Sequence, residues 1–210
     1  MMYATPPKNS ETIRAFIAVP LPVETIRRLT PPVEELRALC RKAGIEAAWS
    51  RPDGWHLTLK FLGSVARDRI APLIDRLPAC ATRHTPFEIG LKGFGAFPTG
   101  RRPRVLWIGL EPDGGAAALG TLANTVEEMT AVLGHPAEDR PYSPHLTVAR
   151  IRTPPRAVRA LSDWLDQHQA DRLAAVRVER IALMRSDAGS GGSVYTPVAE
   201  FMLGKGASQG

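Results

Sequence analysis

Apolar and polar residues alternate with a period of two from Ile13 to Val19, the pattern of a half-buried strand, and Pro20-Leu21-Pro22 ends it. The spacing then lengthens. Ile26, Leu29, Val33, Leu36 and Leu39 recur at helical intervals and predict a helix over Val23–Ala43, which Pro31-Pro32 must kink or restart and Gly44 stops. A short strand over Ala47–Ser50, a turn at Arg51-Pro52-Asp53-Gly54, a strand over Trp55–Leu62 ended by Gly63, a helix over Asp68–Ala81 and a strand over Phe87–Leu91 follow. The second half repeats the order. A strand over Arg104–Leu110 leads to a helix over Asp113–Leu133, a turn at Arg140-Pro141-Tyr142-Ser143-Pro144, a strand over His145–Ile151 and a helix over Pro155–His168. Strands over Val176–Arg185 and Val194–Met202, joined by the Gly/Ser loop Asp187–Ser193, complete it. Aligning Arg14–Val19 on Val105–Leu110 sets Phe16 opposite Trp107. The chain thus reads as one domain over 12–203 made of two pseudo-symmetric lobes, roughly 12–92 and 93–203, with loose tails at 1–11 and 204–210.

One phrase occurs in both halves: His56-Leu57-Thr58-Leu59 and His145-Leu146-Thr147-Val148. In a strand the His and Thr of each phrase share a face, about 7 Å apart, while the apolar residues point the other way into a core. Two such strands side by side would bring two imidazoles and two hydroxyls into one cleft. Imidazoles titrate near neutrality and serve as acid and base, and hydroxyls hold phosphate oxygens, so the pattern points to phosphoester chemistry. Each phrase offers one metal ligand with no Asp, Glu or Cys on the same face, which argues against a metal, and no cofactor is called for. By alternation Lys60 joins His56 and Thr58 on the cleft face, whereas Arg150 points away from it unless the strand bulges. Phe16 and Trp107 present flat faces on which bases can stack. The loop Thr99–Arg104 gathers Arg101, Arg102 and Arg104; Arg101 and Arg104 are candidate contacts to an RNA backbone. The Ser186–Tyr195 loop could cover the cleft. His84, His135 and His168 lack the phrase context and are left out of the site.

Composition adds a partner class. The formal net charge is +6 and Arg outnumbers Lys 22 to 5, which suits an anionic, phosphate-bearing partner. Cys40 and Cys80 stand alone and signal neither zinc nor a disulfide framework. With no apolar run long enough to span a bilayer and a polar, Pro-containing start, no membrane partner is expected and the cytoplasm is the default location.

The twin phrases resemble the two-histidine phosphoesterase superfamily, whose hallmark is a pair of His-x-Thr-x motifs. The surrounding residues resemble more closely its bacterial and archaeal branch, the RNA 2′,3′-cyclic phosphodiesterases once named 2′-5′ RNA ligases. Those residues are Arg14–Val19, Arg51-Pro52 before His56–Gly63, Gly95–Pro98, Arg102–Gly109 and Glu138–Tyr142, and the likeness runs from about 13 to 203. The resemblance implies an α+β, bilobal fold with antiparallel sheets lining a central cleft and helices outside. It implies metal-independent opening of a terminal 2′,3′-cyclic phosphate to a 2′-phosphate, with His56 as proton donor, His145 as acceptor and Thr58 and Thr147 on the phosphate. The partner would be RNA with cyclic-phosphate ends, tRNA fragments among them, and the enzyme a monomer. Ser143 departs from the pattern, since relatives often carry a basic residue there. Ligation as the working direction, a small cyclic nucleotide as substrate and a purely RNA-binding module are the competing readings.

Overall fold

A computed structural model describes residues 12–100, 102–152, 158–189 and 192–205. Nine strands and four helices follow one another: β1 (Thr12–Pro20), α1 (Val23–Lys42), β2 (Ala47–Trp49), β3 (His56–Ala66), α2 (Ile70–Ala81), β4 (Phe87–Phe97), β5 (Val105–Leu110), α3 (Gly114–Val132), β6 (Leu146–Ile151), α4 (Val158–Gln167), β7 (Arg172–Val178), β8 (Arg180–Gly189) and β9 (Gly192–Met202). They build two antiparallel sheets, one in the order β3-β1-β8-β9 and the other β2-β6-β5-β4-β7. The sheets match as β3-β1 against β6-β5, so each histidine phrase lies beside the first strand of its own half. Each sheet also takes strands from the other half, and residues 92 and 93 both lie within β4. The fold is α+β, as the sequence implied. None of the helices among the described residues is long and apolar enough to cross a membrane.

Helix α1 runs through Pro31-Pro32 without restarting. Each proline forfeits a backbone bond, at a cost on the order of 3 kcal/mol. The stripe Thr25, Leu29, Val33, Leu36 and Cys40, buried on both sides of the pair, holds the two parts together as one continuous helix. The expected strand Val176–Arg185 is two strands in different sheets, with the chain changing sheet at Glu179. Apolar residues continue across that point, so periodicity could not mark it. The expected loop Asp187–Ser193 is mostly hairpin, with Asp187 paired to Val194 and Gly189 to Gly192. Of the expected tails, 1–11 and 204–210, residues 1–11 and 206–210 lie outside the described residues, and Gly204 is tied down by its N–H, which donates to the His84 carbonyl at 2.8 Å.

Register decides what faces the cleft. Along β3 the partners on β1 step from Ile17↔Lys60 to Ala18↔Thr58, so Leu59 is an extra residue and the strand bulges there. A second slip, with Gly63 at φ +70°, leaves Leu62 unpaired. The first bulge reverses the alternation: Leu57, Leu59 and Lys60 are buried and Phe61 stands exposed. Lys60 therefore turns away from the cleft, contrary to strict alternation. Its Nζ lies 2.7 Å from Glu127 Oε1 and 2.7 Å from the Pro136 carbonyl. The second phrase bulges at the matching place, since Leu106↔Ala149 is followed by Trp107↔Thr147 and Val148 is extra. Here Val148 and Ala149 are buried and Arg150 is exposed.

The Lys60–Glu127 pair generates a test. Lys60→Ala should lower unfolding free energy by roughly 2–4 kcal/mol, because it strands a carboxylate and a carbonyl that a buried ammonium now satisfies. Urea denaturation reads this out. Stability equal to wild type would contradict the burial of Lys60.

Candidate active site

Both histidines are set by the turn before them. Arg51 grips Asp53 with Nε at 3.1 Å and Nη2 at 2.6 Å, and a 3₁₀ turn over Pro52–Gly54 delivers the chain to β3. Nδ1 of His56 lies 2.7 Å from the Gly54 carbonyl. Nδ1 of His145 lies 2.8 Å from the Ser143 carbonyl. A carbonyl oxygen only accepts, so Nδ1 carries the hydrogen in both rings and Nε2 is left for the cleft. The bond at Ser143 uses backbone, so the absence of a basic side chain there does not disturb it. The phenol of Tyr142, whose pKa is pushed up by burial, donates to the Thr58 carbonyl at 3.0 Å and ties the second turn to the first phrase.

Aromatic rings pack each imidazole. Phe16 lies 4.6 Å from His56 between ring centroids, and Tyr195 meets His56 edge-on at 4.8 Å. Phe97 meets His145 edge-on at 5.1 Å, with Trp107 at 6.5 Å. Phe16 is only 3% exposed, so it supports His56 and offers no free stacking face. Nor are Phe16 and Trp107 counterparts. Cross-strand pairing equates Trp107, opposite Thr147, with Ala18, opposite Thr58, and Phe16 with Val105. The two phrases are 89 residues apart, as are Ala18 and Trp107, so setting Phe16 against Trp107, 91 residues on, is out of register by two. Trp107 instead lies flat over Gly95, where an added Cβ would come within 2.2 Å of its ring, and it lines a cavity of about 600 Å³ together with Pro144.

A second cavity, about 380 Å³, opens between the sheets. His56, Thr58 and Phe61 line it from β3, and Thr147 and Arg150 from β6. Phe16 lines it from β1, and Arg14, Ser50 and Tyr195 stand on its rim. His145 sits between its lining neighbour Thr147 and the Trp107 cavity. Burial pushes the pKa of His56 below the ordinary imidazole value; the Gly54 bond resists, and the charge of His145 pushes further down. Burial likewise lowers His145, against the Ser143 bond, and Arg150 adds to the lowering. The effect of His145 on His56 places the two imidazoles within electrostatic reach of each other.

The structure thus brings His56, Thr58, Thr147 and, next door, His145 and Trp107 together. It takes Lys60 out of the cleft. Arg104 is exposed at the entry to β5 and lines neither cavity. Arg101 lies outside the described residues. Phe61 and Arg150 were missed as site residues, and the signal for both was the bulge. The other histidines are engaged elsewhere: His84 with Thr125 at 2.9 Å, His168 with Asp171 at 2.7 Å, and His135 buried near Arg69 and Lys60. No group of three or more His, Cys, Asp or Glu that could hold a metal ion occurs among the described residues.

The chain is similar to known proteins along most of its length. The family described as LigT like Phosphoesterase matches twice, over residues 19–107 and 108–195. An Aquifex aeolicus protein named RNA 2′,3′-cyclic phosphodiesterase is 36% identical over 161 residues, covering 76% of this chain and 84% of its own. An Archaeoglobus fulgidus protein of the same name is 31% identical over 189 residues, covering 90% and 99%. The crystal structure of E. coli LigT complexed with 3′-AMP superposes with a TM-score of 0.63 at 26% identity, covering 92% of this chain and 99% of that one.

The electrostatics can be tested by proton NMR of the imidazole rings. His56 and His145 should both titrate below about 6.5, the ordinary histidine value. His145→Ala should raise the pKa of His56, and Arg150→Ala should raise that of His145, because each removes a positive neighbour. No movement in either variant would contradict the arrangement.

Proposed function

The chain belongs to the LigT-like phosphoesterase family, and on that footing we propose that it opens the 2′,3′-cyclic phosphate at an RNA end to a 2′-phosphate. The observation that carries this reading is the pair of Nδ1-anchored imidazoles beside one cavity whose walls supply a hydroxyl from each sheet. The named activity of the relatives, and the 3′-AMP held by the E. coli protein, are in keeping with it.

In this mechanism Nε2 of neutral His145 takes a proton from water as the water oxygen attacks phosphorus. The bond from phosphorus to O3′ breaks, and protonated Nε2 of His56 gives its proton to O3′. The products are a 2′-phosphate and a 3′-hydroxyl, and the two histidines have exchanged protonation states, which solvent resets. Thr58 and Thr147 hold the non-bridging oxygens as charge builds on them. Arg150, turned into the cavity by its bulge, offsets that charge. The nucleobase of the terminal nucleotide stacks on Trp107, whose flat seat on Gly95 fixes the ring. Nothing in these steps requires a metal.

Three results are expected. With EDTA present, the enzyme should convert a 5′-labelled RNA ending in a cyclic phosphate to the 2′-phosphate, and His56→Ala and His145→Ala should each lose about 10² to 10⁴-fold in kcat. Binding without turnover by the wild-type protein would instead favour an RNA-binding module. The pH profile of kcat/KM should be bell-shaped with the midpoint of its alkaline limb below about pH 6.5, because the lowered pKa of His56 deprotonates the acid early. It should fall again at lower pH as the base is protonated. Bound phosphate raises both pKa values, so the limbs of kcat should lie at higher pH than those of kcat/KM. A profile flat from about pH 5 to 8 would contradict the pairing. Trp107→Ala should raise KM roughly tenfold and leave kcat nearly unchanged, in line with the loss of one base–aromatic stack.

A further inference from the structure

Beside the edge strand β2 lies a groove of about 510 Å³ whose lining includes Arg37, Arg41, Glu46, Trp49 and Arg152. Three guanidinium groups face it against one carboxylate. Arg37 stands over the ring of Trp49, 6.0 Å from its centroid, and its other contact is an exposed ion pair with Glu34 at 3.2 Å. Arg41 and Arg152 have no acidic side chain within ion-pair reach among the described residues. The groove is therefore cationic, open and furnished with an aromatic ring, a combination suited to a chain of phosphates bearing bases.

Its position relates it to the cleft. β2 is an edge strand of its sheet and, among the described residues, pairs only with β6. Ala48 lies opposite Arg150, whose side chain lines the catalytic cavity, and Ser50, the residue after β2, lines that cavity too. Ser50 is held there by its N–H, which donates to the Val148 carbonyl at 2.9 Å. From Ala47 to Ser50 an extended chain covers about 10 Å, so the groove and the cleft are two sides of one short strand.

We propose that this groove is a second RNA-contact site, which grips the sugar-phosphate backbone of the strand whose 3′ end occupies the cleft. The proposal rests on the reading of the cleft as a site for RNA ends. Arg37, Arg41 and Arg152 hold phosphates, Trp49 offers a surface for a base, and the substrate class becomes RNA long enough to cross β2. A mononucleotide or dinucleotide fills only the cleft.

The test compares wild type with the double variant Arg41→Ala/Arg152→Ala, both positions being exposed. Turnover is measured on a dinucleotide and on an RNA of about twelve nucleotides, a length within the span of single-strand sites, each ending in a 2′,3′-cyclic phosphate. Binding of the same longer RNA ending in a 2′-phosphate is measured by fluorescence anisotropy over a salt series. The expected result is a roughly tenfold loss of kcat/KM on the longer RNA at low salt, with the dinucleotide unaffected. The salt slope of log K should also shrink by about 1.4, as for two lost phosphate contacts on a single strand. Equal loss on both substrates, or an unchanged slope, would overturn the proposal. Failure of the wild-type protein to turn over either substrate would sink the reading of the cleft, while the anisotropy slope would still decide the groove.

Discussion

A strand that buries one face can offer a reactive group only on the other, and this constraint organises the molecule. Leu57, Leu59, Leu146 and Val148 are all buried, and their burial is what turns His56, Thr58 and Thr147 toward the space between the sheets. Strict alternation would continue with Lys60 and would point Arg150 into the core. A single extra residue in each strand, Leu59 and Val148, breaks it at the same place in both halves. The fold in this way keeps its core intact and still lines the cleft with Phe61 on one side and Arg150 on the other.

The asymmetry of the two halves follows from what each bulge exchanges. In the first half the displaced residue is Lys60, whose ammonium is buried against Glu127 and the Pro136 carbonyl. Glu127 also accepts from the Glu138 N–H at 3.1 Å. These bonds, with Tyr142 on the Thr58 carbonyl, fasten the segment leading to His145 onto the strand that follows His56. In the second half the displaced residue is Ala149, and the cleft gains the guanidinium of Arg150. One phrase is followed by the mechanical link between the histidines and the other by a guanidinium that lines the cleft. Burial among aromatic rings lowers the pKa of both imidazoles.

Much of this was legible in the sequence because it rests on local pattern. The repeated His-x-Thr phrase, the order of elements and the two-lobed cleft are consequences of periodicity and turn chemistry that one chain displays. The features that were not legible depend on register between strands. No residue type announces that Leu59 or Val148 is unpaired, so alternation alone sets Lys60 in the cleft; the match of Phe16 with Trp107 misses the cross-strand pairing that equates Ala18 with Trp107. The crossing at Glu179 was hidden for a related reason: Val176, Val178, Ile181 and Leu183 are apolar on both sides of it, although they serve different sheets. The surplus of arginine pointed to an anionic partner without saying where it would lie, because charge composition carries no position. The groove beside Trp49 is a product of tertiary packing between α1, β2 and the chain after β6.

The central claim is that the two imidazoles have different jobs, His145 activating water and His56 protonating the departing oxygen. A cyclic phosphate with sulfur in place of the 3′ bridging oxygen separates them, since a thiolate leaves without needing a proton. Rates of His56→Ala and His145→Ala on the oxygen and sulfur substrates are the measurement. The account predicts that His56→Ala approaches wild-type turnover on the sulfur substrate, whereas His145→Ala stays about 10² to 10⁴-fold down on both. Recovery of His145→Ala in place of His56→Ala, or recovery of neither, would contradict it.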